Sequence, residues 1–139
     1  MILIDTNVLS ALMRREPDQT VSAWLDSLPP ESVWTTTITV FEIRYGLEIL
    51  PEGRRRKTLE DAFALALAED FDGRILGFDQ AAADASALIA ARQREAGRPV
   101  EIRDVQIAGI AAARRAALAT GNIRHFQDTG ITLIDPWAA

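Results

Sequence analysis

The sequence contains no cysteine. Disulfides, thiolate metal sites and cysteine nucleophiles are therefore excluded, and the chain suits a reducing compartment. It contains one histidine, His125. Ribonuclease chemistry that passes protons between two histidines of one chain is excluded with it. So are zinc sites built on several histidines. Long apolar runs are also missing. The N-terminal run is only Met1 to Ile4, with no basic segment before it. That is no signal peptide, and no stretch nears the ~20 apolar residues of a membrane span. No glycine-rich loop ending in lysine follows a strand, which argues against a phosphate-loop enzyme. Excess positive charge is absent too. The net charge is −5, so contact with nucleic acid must use local basic patches, a bound cation or a partner.

What remains is an ordinary globular composition, with 48% hydrophobic and 25% charged residues in a chain of 139. That length fits a single domain, residues 1–139, able to bury a substantial core. Met1–Asp5 reads as a short strand covered on both faces, and Thr6 or Asn7 can cap a helix over Val8–Met13. Val21, Trp24, Leu25 and Leu28 recur at helical spacing before Pro29–Pro30. Ser32–Thr37 predicts a second strand. Ile38–Leu50 predicts a helix apolar all round and hence largely buried. Arg54–Phe71 predicts a longer helix with a basic first turn, and Gly73–Asp79 a third strand. Ala81–Ala96 and Arg103–Ala117 predict alanine-rich helices. Leu118–Thr120 and Ile131–Ile134 are the last strand candidates, with the loop GNIRHFQDTG between them. Strands alternating with helices predict an α/β fold with a mostly parallel sheet. Trp24, Trp34 and Trp137 read as core or interface anchors.

Most of the 20 acids belong on the surface, and three stand out. Asp5 ends an apolar strand, where α/β sheets bind ligands, although capping explains it equally well. Glu42 lies among apolar neighbours in TVFEIRYG, where a carboxylate costs several kcal/mol unless it is paired or metal-bound. Arg44 and Arg103 are its candidate ion-pair partners, and Gly46 is expected to leave room beside it. Asp104 opens an otherwise apolar helix in IRDVQIAGIAAA. Asp79 ends another strand, where an N-cap is the expected role and support of the acidic site a second. If Asp5, Glu42 and Asp104 converge, they repel one another unless a cation binds. Carboxylates without histidine or cysteine suit Mg²⁺ or Mn²⁺.

MILIDTNVLSALM, ITVFEIRYGL, IRDVQIAGIAAA, ATGNIRHF and GITLIDPW, in this order and spacing, together resemble the PIN-domain ribonucleases. The likeness is to the VapC-type toxins of type II toxin–antitoxin modules, in the FitB-like branch. The resemblance spans the chain. It implies a three-layer α/β/α sandwich around a parallel sheet of about five strands. It implies Mg²⁺- or Mn²⁺-dependent endoribonuclease activity, a cognate antitoxin that inhibits it, a homodimer, a higher hetero-oligomer with the antitoxin, and a bacterial cytoplasmic location.

The family's first, second and third acids fall on Asp5, Glu42 and Asp104. The implied roles are metal ligation by Asp5 and Asp104, with Glu42 as a further ligand or as acceptor for the proton of the attacking water. Thr6 and Asn7 fall on the polar pair after the first acid. Asn122 falls where many relatives carry a fourth acid, which weakens the case for a second metal. Asp128 could replace that acid only if its loop folds back. Thr6, Asn7, Asn122 and Asp79 are the expected supporting residues. Arg14, Arg15, Arg54, Arg55 and Arg124 are candidate RNA contacts, and surface roles are open for each of them. Arg56, Lys57, Arg92, Arg94 and Arg98 are weaker candidates. His125 reads as a packing or hydrogen-bonding residue rather than a general base. Two other readings stay open: a different metal-dependent phosphoesterase, and a catalytically silent binding module.

Overall fold

The computed structural model describes residues Met1–Ala139. Ile2–Ile4 forms β1, Thr6–Met13 α1 and Gln19–Asp26 α2. Val33–Thr36 forms β2, Thr37–Glu48 α3 and Arg54–Leu65 α4. Ile75–Leu76 forms β3, Gln80–Glu95 α5, Ile102–Arg114 α6 and Ala117–Ala119 β4. Ile123–Phe126 is the short helix α7 and Leu133–Ile134 is β5. The strands form one five-stranded sheet in the order β3-β2-β1-β4-β5, and every pairing is parallel. The parallel α/β architecture expected from the sequence is present.

The apolar run at the N-terminus explains why β1 is central. Leu3 and Ile4 are both fully buried, and they face opposite sides of the sheet, because successive strand side chains alternate. Leu3 joins the core under α5 and α6, with Ile107, Ile110, Leu118 and Phe126. Ile4 joins the core under α1 to α4, with Val8, Val21, Ile43 and Phe63. Each such fully buried side chain stabilises the fold by roughly 1.5–3 kcal/mol. Alanine and glycine let α5 and α6 approach closely: a Cβ on Gly109 would stand 1.8 Å from Ser86 Oγ and 2.6 Å from the Ala82 carbonyl oxygen.

Several sequence expectations are corrected. The helix from Arg54 stops at Leu65 and continues as a wider π turn, Ala66–Asp70. The third strand keeps only Ile75–Leu76 of the expected segment. The α6 helix ends at Arg114, because Arg115 turns left-handed at φ 53°, and this frees Ala117 to start β4. Helix α3 is not buried all round: Phe41, Tyr45 and Ile49 are 56%, 54% and 66% exposed, four residues apart on one outward stripe. Gly46 faces open space, so nothing there requires a glycine.

Candidate active site

Strand order reverses direction at β1, which lies between β2 and β4. Such a switch point opens a crevice at the carboxyl ends of the strands. Asp5 sits at that end of β1, 5% exposed. It is also the N-cap of α1, with Oδ1 accepting from the Thr6 backbone N–H at 2.8 Å. The expectation that Thr6 or Asn7 would take the capping role is corrected. The extended backbone of Asp5 puts its own carboxylate over the first free N–H. One oxygen caps, and the other accepts the Thr120 hydroxyl at 2.8 Å.

Thr120, at the end of β4, was not singled out in the sequence. Its hydroxyl oxygen accepts from the Asn122 backbone N–H at 3.0 Å and from Asn7 Nδ2 at 3.5 Å. Its one proton is thereby directed at Asp5. Asn7 Oδ1 accepts from the Gly121 N–H at 3.2 Å, so β1 and β4 are laced together around the carboxylate. The signal for Thr120 was a polar residue closing the apolar strand ALA, but only the parallel pairing of β4 with β1 gives it a partner.

Glu42 reaches the same place from α3. Its Oε1 accepts the Thr6 hydroxyl at 2.9 Å, and its Oε2 lies 3.7 Å from Arg103 Nη1. Of the two arginines considered for it, Arg103 is the partner. Arg44 stacks over Phe63 instead, 5.4 Å from the ring centroid. Asp104 stands in the first turn of α6, and its Oδ2 lies 3.1 Å from His125 Nδ1. His125 therefore bonds an acid rather than standing free as a base.

Asp5, Glu42 and Asp104 line one cleft of about 400 Å³ with Thr6, Asn7 and Asn122; Ser10 and Arg14 complete a wall without hydrophobic residues. All three carboxyls are held above their ordinary range. For Asp5 burial is the main cause, opposed by the Thr120 and Thr6 hydrogen bonds and reinforced by the charge of Asp104. For Glu42 burial again leads, with the Thr6 bond opposing it and Asp5 repelling. For Asp104 burial outweighs the attraction of His125, and Glu101 adds repulsion. The helix dipole at the start of α6 favours a charged Asp104, so burial prevails over it.

The donor set is all oxygen, without cysteine. No group of three His, Cys, Asp or Glu side chains is close enough to make a ready-made cage. The oxygen donors are of the kind that suits a hard divalent ion of the Mg²⁺ type, which takes one or two carboxylates and keeps several waters.

The structure does not bring every candidate to the cleft. Asp79 Oδ1 caps α5 through the Ala82 N–H at 2.9 Å, and its Oδ2 pairs with Arg114 at 3.1 Å. Arg114 ends the helix that Asp104 begins, so Asp79 is a whole helix length from the acids and its supporting role there is withdrawn. Asp128 pairs with Arg98 at 3.3 Å and does not stand in for a fourth acid. Asn122 does line the cleft. Arg14, Arg15, Arg54 and Arg55 meet in an adjoining groove of about 710 Å³, with Arg14 shared by both. Arg124 lies in a separate cleft of about 400 Å³ that includes Asp104. Trp137 is partly exposed and donates to Asp18 at 3.1 Å, and its ring crowds Gly121.

The PIN domain model matches residues 2–131. The plasmid stability protein StbB of Pseudomonas syringae pv. tomato is 40% identical over 139 residues, the full length of both chains. A VapC ribonuclease of Sinorhizobium fredii is 35% identical, over 99% of this chain and 98% of that protein. The crystal structure of FitAcB from Neisseria gonorrhoeae superposes with a TM-score of 0.90 at 34% identity, covering all of both chains.

Proposed function

Because the chain belongs to the PIN domain family, we propose that it is the toxin of a type II toxin–antitoxin pair: an endoribonuclease that uses a divalent metal to hydrolyse RNA phosphodiester bonds. The carrying observation is the convergence of Asp5, Glu42 and Asp104 on one polar cleft. PIN-domain nucleases generally depend on divalent metals, and Mg²⁺ or Mn²⁺ is the ion this oxygen-only site suits. The relative named VapC ribonuclease supports the reaction, and the relative named toxin FitB and the similar toxin–antitoxin complex from Klebsiella pneumoniae support an antitoxin as partner. No helix is long and apolar enough to cross a membrane, and the reading places the protein in the bacterial cytoplasm.

Asp5 and Asp104 would hold the ion, with Glu42 beside them. Such an ion would supply Lewis-acid chemistry there, activating water and offsetting charge on the phosphorane-like transition state. Glu42 Oε2 takes the proton from the attacking water, a role its raised pKa suits by bringing it nearer to working pH. Thr120 and the Thr6 N–H fix the rotamer of Asp5, and Asn7 fixes the loop that presents Asn122. Phosphates flanking the scissile bond meet the Arg14, Arg15, Arg54 and Arg55 groove and the Arg124 cleft. Both clefts share a residue with the acidic one, so one strand can cross all three. The exposed Phe41–Tyr45–Ile49 stripe supports burial against another chain, a second copy or the antitoxin.

The test is cleavage of structured RNA with Mg²⁺ by wild type and by Asp5→Asn and Asp104→Asn. We expect wild-type cleavage that chelation abolishes and that either variant lowers at least about a hundredfold, the lower range for losing a positioned catalytic group. Undiminished cleavage in either variant refutes the assignment.

A further inference from the structure

We propose that Trp137 is a positioning residue for the acidic site: its indole clamps Gly121 and so holds the loop that brings Asn122 to the cleft. What the clamp serves rests on the ribonuclease reading; the clamp itself rests on contacts. Trp137 joins neither hydrophobic core and is 37% exposed, so core packing does not explain it.

The sheet puts Trp137 at the right edge. Strands β4 and β5 are parallel, with Ala119 opposite Ile134, and β1 and β4 are parallel, with Ile4 opposite Ala119. The chain therefore leaves β5 at the edge where β4 reaches Gly121 and β1 reaches Asp5. It turns there: the Trp137 N–H donates to Asp135 Oδ1 at 2.9 Å and the Ala138 N–H to the Asp135 carbonyl at 3.1 Å, a turn made by an aspartate side chain. The turn lays the indole on Gly121. A Cβ there would stand 2.8 Å from Cζ3 and 3.2 Å from Cε3 of the ring. Gly121 is not among the residues with positive φ, so its backbone does not demand glycine. The space taken by the ring does.

The ring is tied at its far end. Trp137 Nε1–H donates to Asp18 Oδ2 at 3.1 Å, and Asp18 Oδ1 caps α2 through the Val21 N–H at 3.1 Å. The Asp18 N–H bonds the Ala11 carbonyl at 3.2 Å, so the anchor is fixed to α1, the helix that carries Thr6 and Asn7. The clamped loop serves the acids directly. The Gly121 N–H donates to Asn7 Oδ1, the Asn122 N–H donates to the Thr120 hydroxyl, and that hydroxyl donates to Asp5. Without the indole, only these bonds hold the loop.

Trp137→Ala, Trp137→Phe, Gly121→Ala and the double variant Gly121→Ala/Trp137→Ala test the clamp in the full chain. Amide exchange is followed without metal. We expect Trp137→Ala to speed exchange at Gly121 and Asn122 about tenfold or more, with Leu3 and Ile107 within about twofold of wild type, as local opening requires. Trp137→Phe keeps a ring on Gly121 and should recover part of the loss. Gly121→Ala pushes the ring away and should match Trp137→Ala. The double variant should be no worse than either, because the two changes remove one contact. Mn²⁺ affinity by calorimetry and kcat on structured RNA should each fall roughly tenfold in Trp137→Ala, the low end for a lost supporting contact. RNA affinity without metal should stay within about twofold, because the arginine groove is untouched. Unchanged loop exchange, unchanged Mn²⁺ affinity, or core amides accelerated as much as the loop overturns the clamp. Additive losses in the double variant overturn it too. Where Trp137→Ala does not fold, Gly121→Ala carries the same test. If wild type cleaves no RNA, the ribonuclease reading falls, and exchange and Mn²⁺ affinity still decide the clamp.

Discussion

Thr120→Val removes one oxygen and keeps the shape of the side chain. The Thr120 hydroxyl is fully buried and joins three partners: it donates to Asp5 Oδ2 at 2.8 Å and accepts from the Asn122 N–H at 3.0 Å and Asn7 Nδ2 at 3.5 Å. The first is a bond to a charged group, worth about 1.5–3 kcal/mol, and the Asp5 carboxylate left behind is buried. We expect a loss of about 2–3 kcal/mol, or a Tm lower by roughly 8–12 °C for a chain of 139 residues. The loss depends on pH. Burial already raises the Asp5 pKa and the Thr120 bond opposes it, so the variant's carboxyl rises further. A raised carboxyl contributes stability that is fully present below its unfolded value and lost as pH rises through its folded value. The Tm gap between wild type and variant is therefore wider at pH 8 than at pH 5. Mn²⁺ affinity should fall about 10–100-fold, as it does when a ligand's supporting bond is lost. Thermal scans in chelator at the two pH values and calorimetry with Mn²⁺ measure these effects. A Tm within about 2 °C of wild type at pH 8, with unchanged Mn²⁺ affinity, refutes the reasoning.

Three further outcomes follow from other contacts. Gly109→Ala puts a methyl 2.6 Å from the Ala82 carbonyl, which cannot rotate away, and displaces the Ser86 hydroxyl from its 2.9 Å bond to the Val105 carbonyl. Against a helix-propensity gain of about 1 kcal/mol, overpacking and the lost bond leave a net cost of about 2–4 kcal/mol, read by denaturant unfolding. Asp104→Asn removes a carboxylate that burial holds above its ordinary value of 3.8. The metal-free variant should melt above wild type at pH 8 and converge with it near pH 4. The wild-type gain in saturating Mn²⁺, about 2.7 kcal/mol at a hundred times Kd, should shrink in the variant. Arg54→Glu with Arg55→Glu removes two candidate phosphate contacts from the groove beside the acids. RNA binding should weaken, and its logarithmic salt slope should flatten by about 1.4; an unchanged slope returns these arginines to the surface.

The fold was legible because its signals are local. Short apolar runs bounded by turns alternate with helical spacing, and β1 to β5 follow that pattern. The boundaries were less legible where tertiary contacts override local preference. The basic helix from Arg54 widens into a π turn that no periodicity marks, and the outward stripe of α3 looks like core in sequence because Phe41, Tyr45 and Ile49 are apolar. The acids were legible for a different reason. A carboxylate at an apolar strand end or inside an apolar helix is costly to bury, so its presence points to compensation.

The sequence by itself determined the class of chemistry. Without cysteine and with one histidine, metal ligands must come mainly from oxygen, and the placement of Asp5, Glu42 and Asp104 distinguishes them from the other acids. The tertiary structure alone decided what those acids do to one another. Parallel pairing of β4 with β1 sets Thr120 against Asp5, and α7 folds His125 onto Asp104. Helix α5 runs Asp79 away from the site. Residues 115 positions apart meet through sheet order and helix crossing. Hydrogen bonds and desolvation act over a few ångströms of space, whatever the distance along the chain.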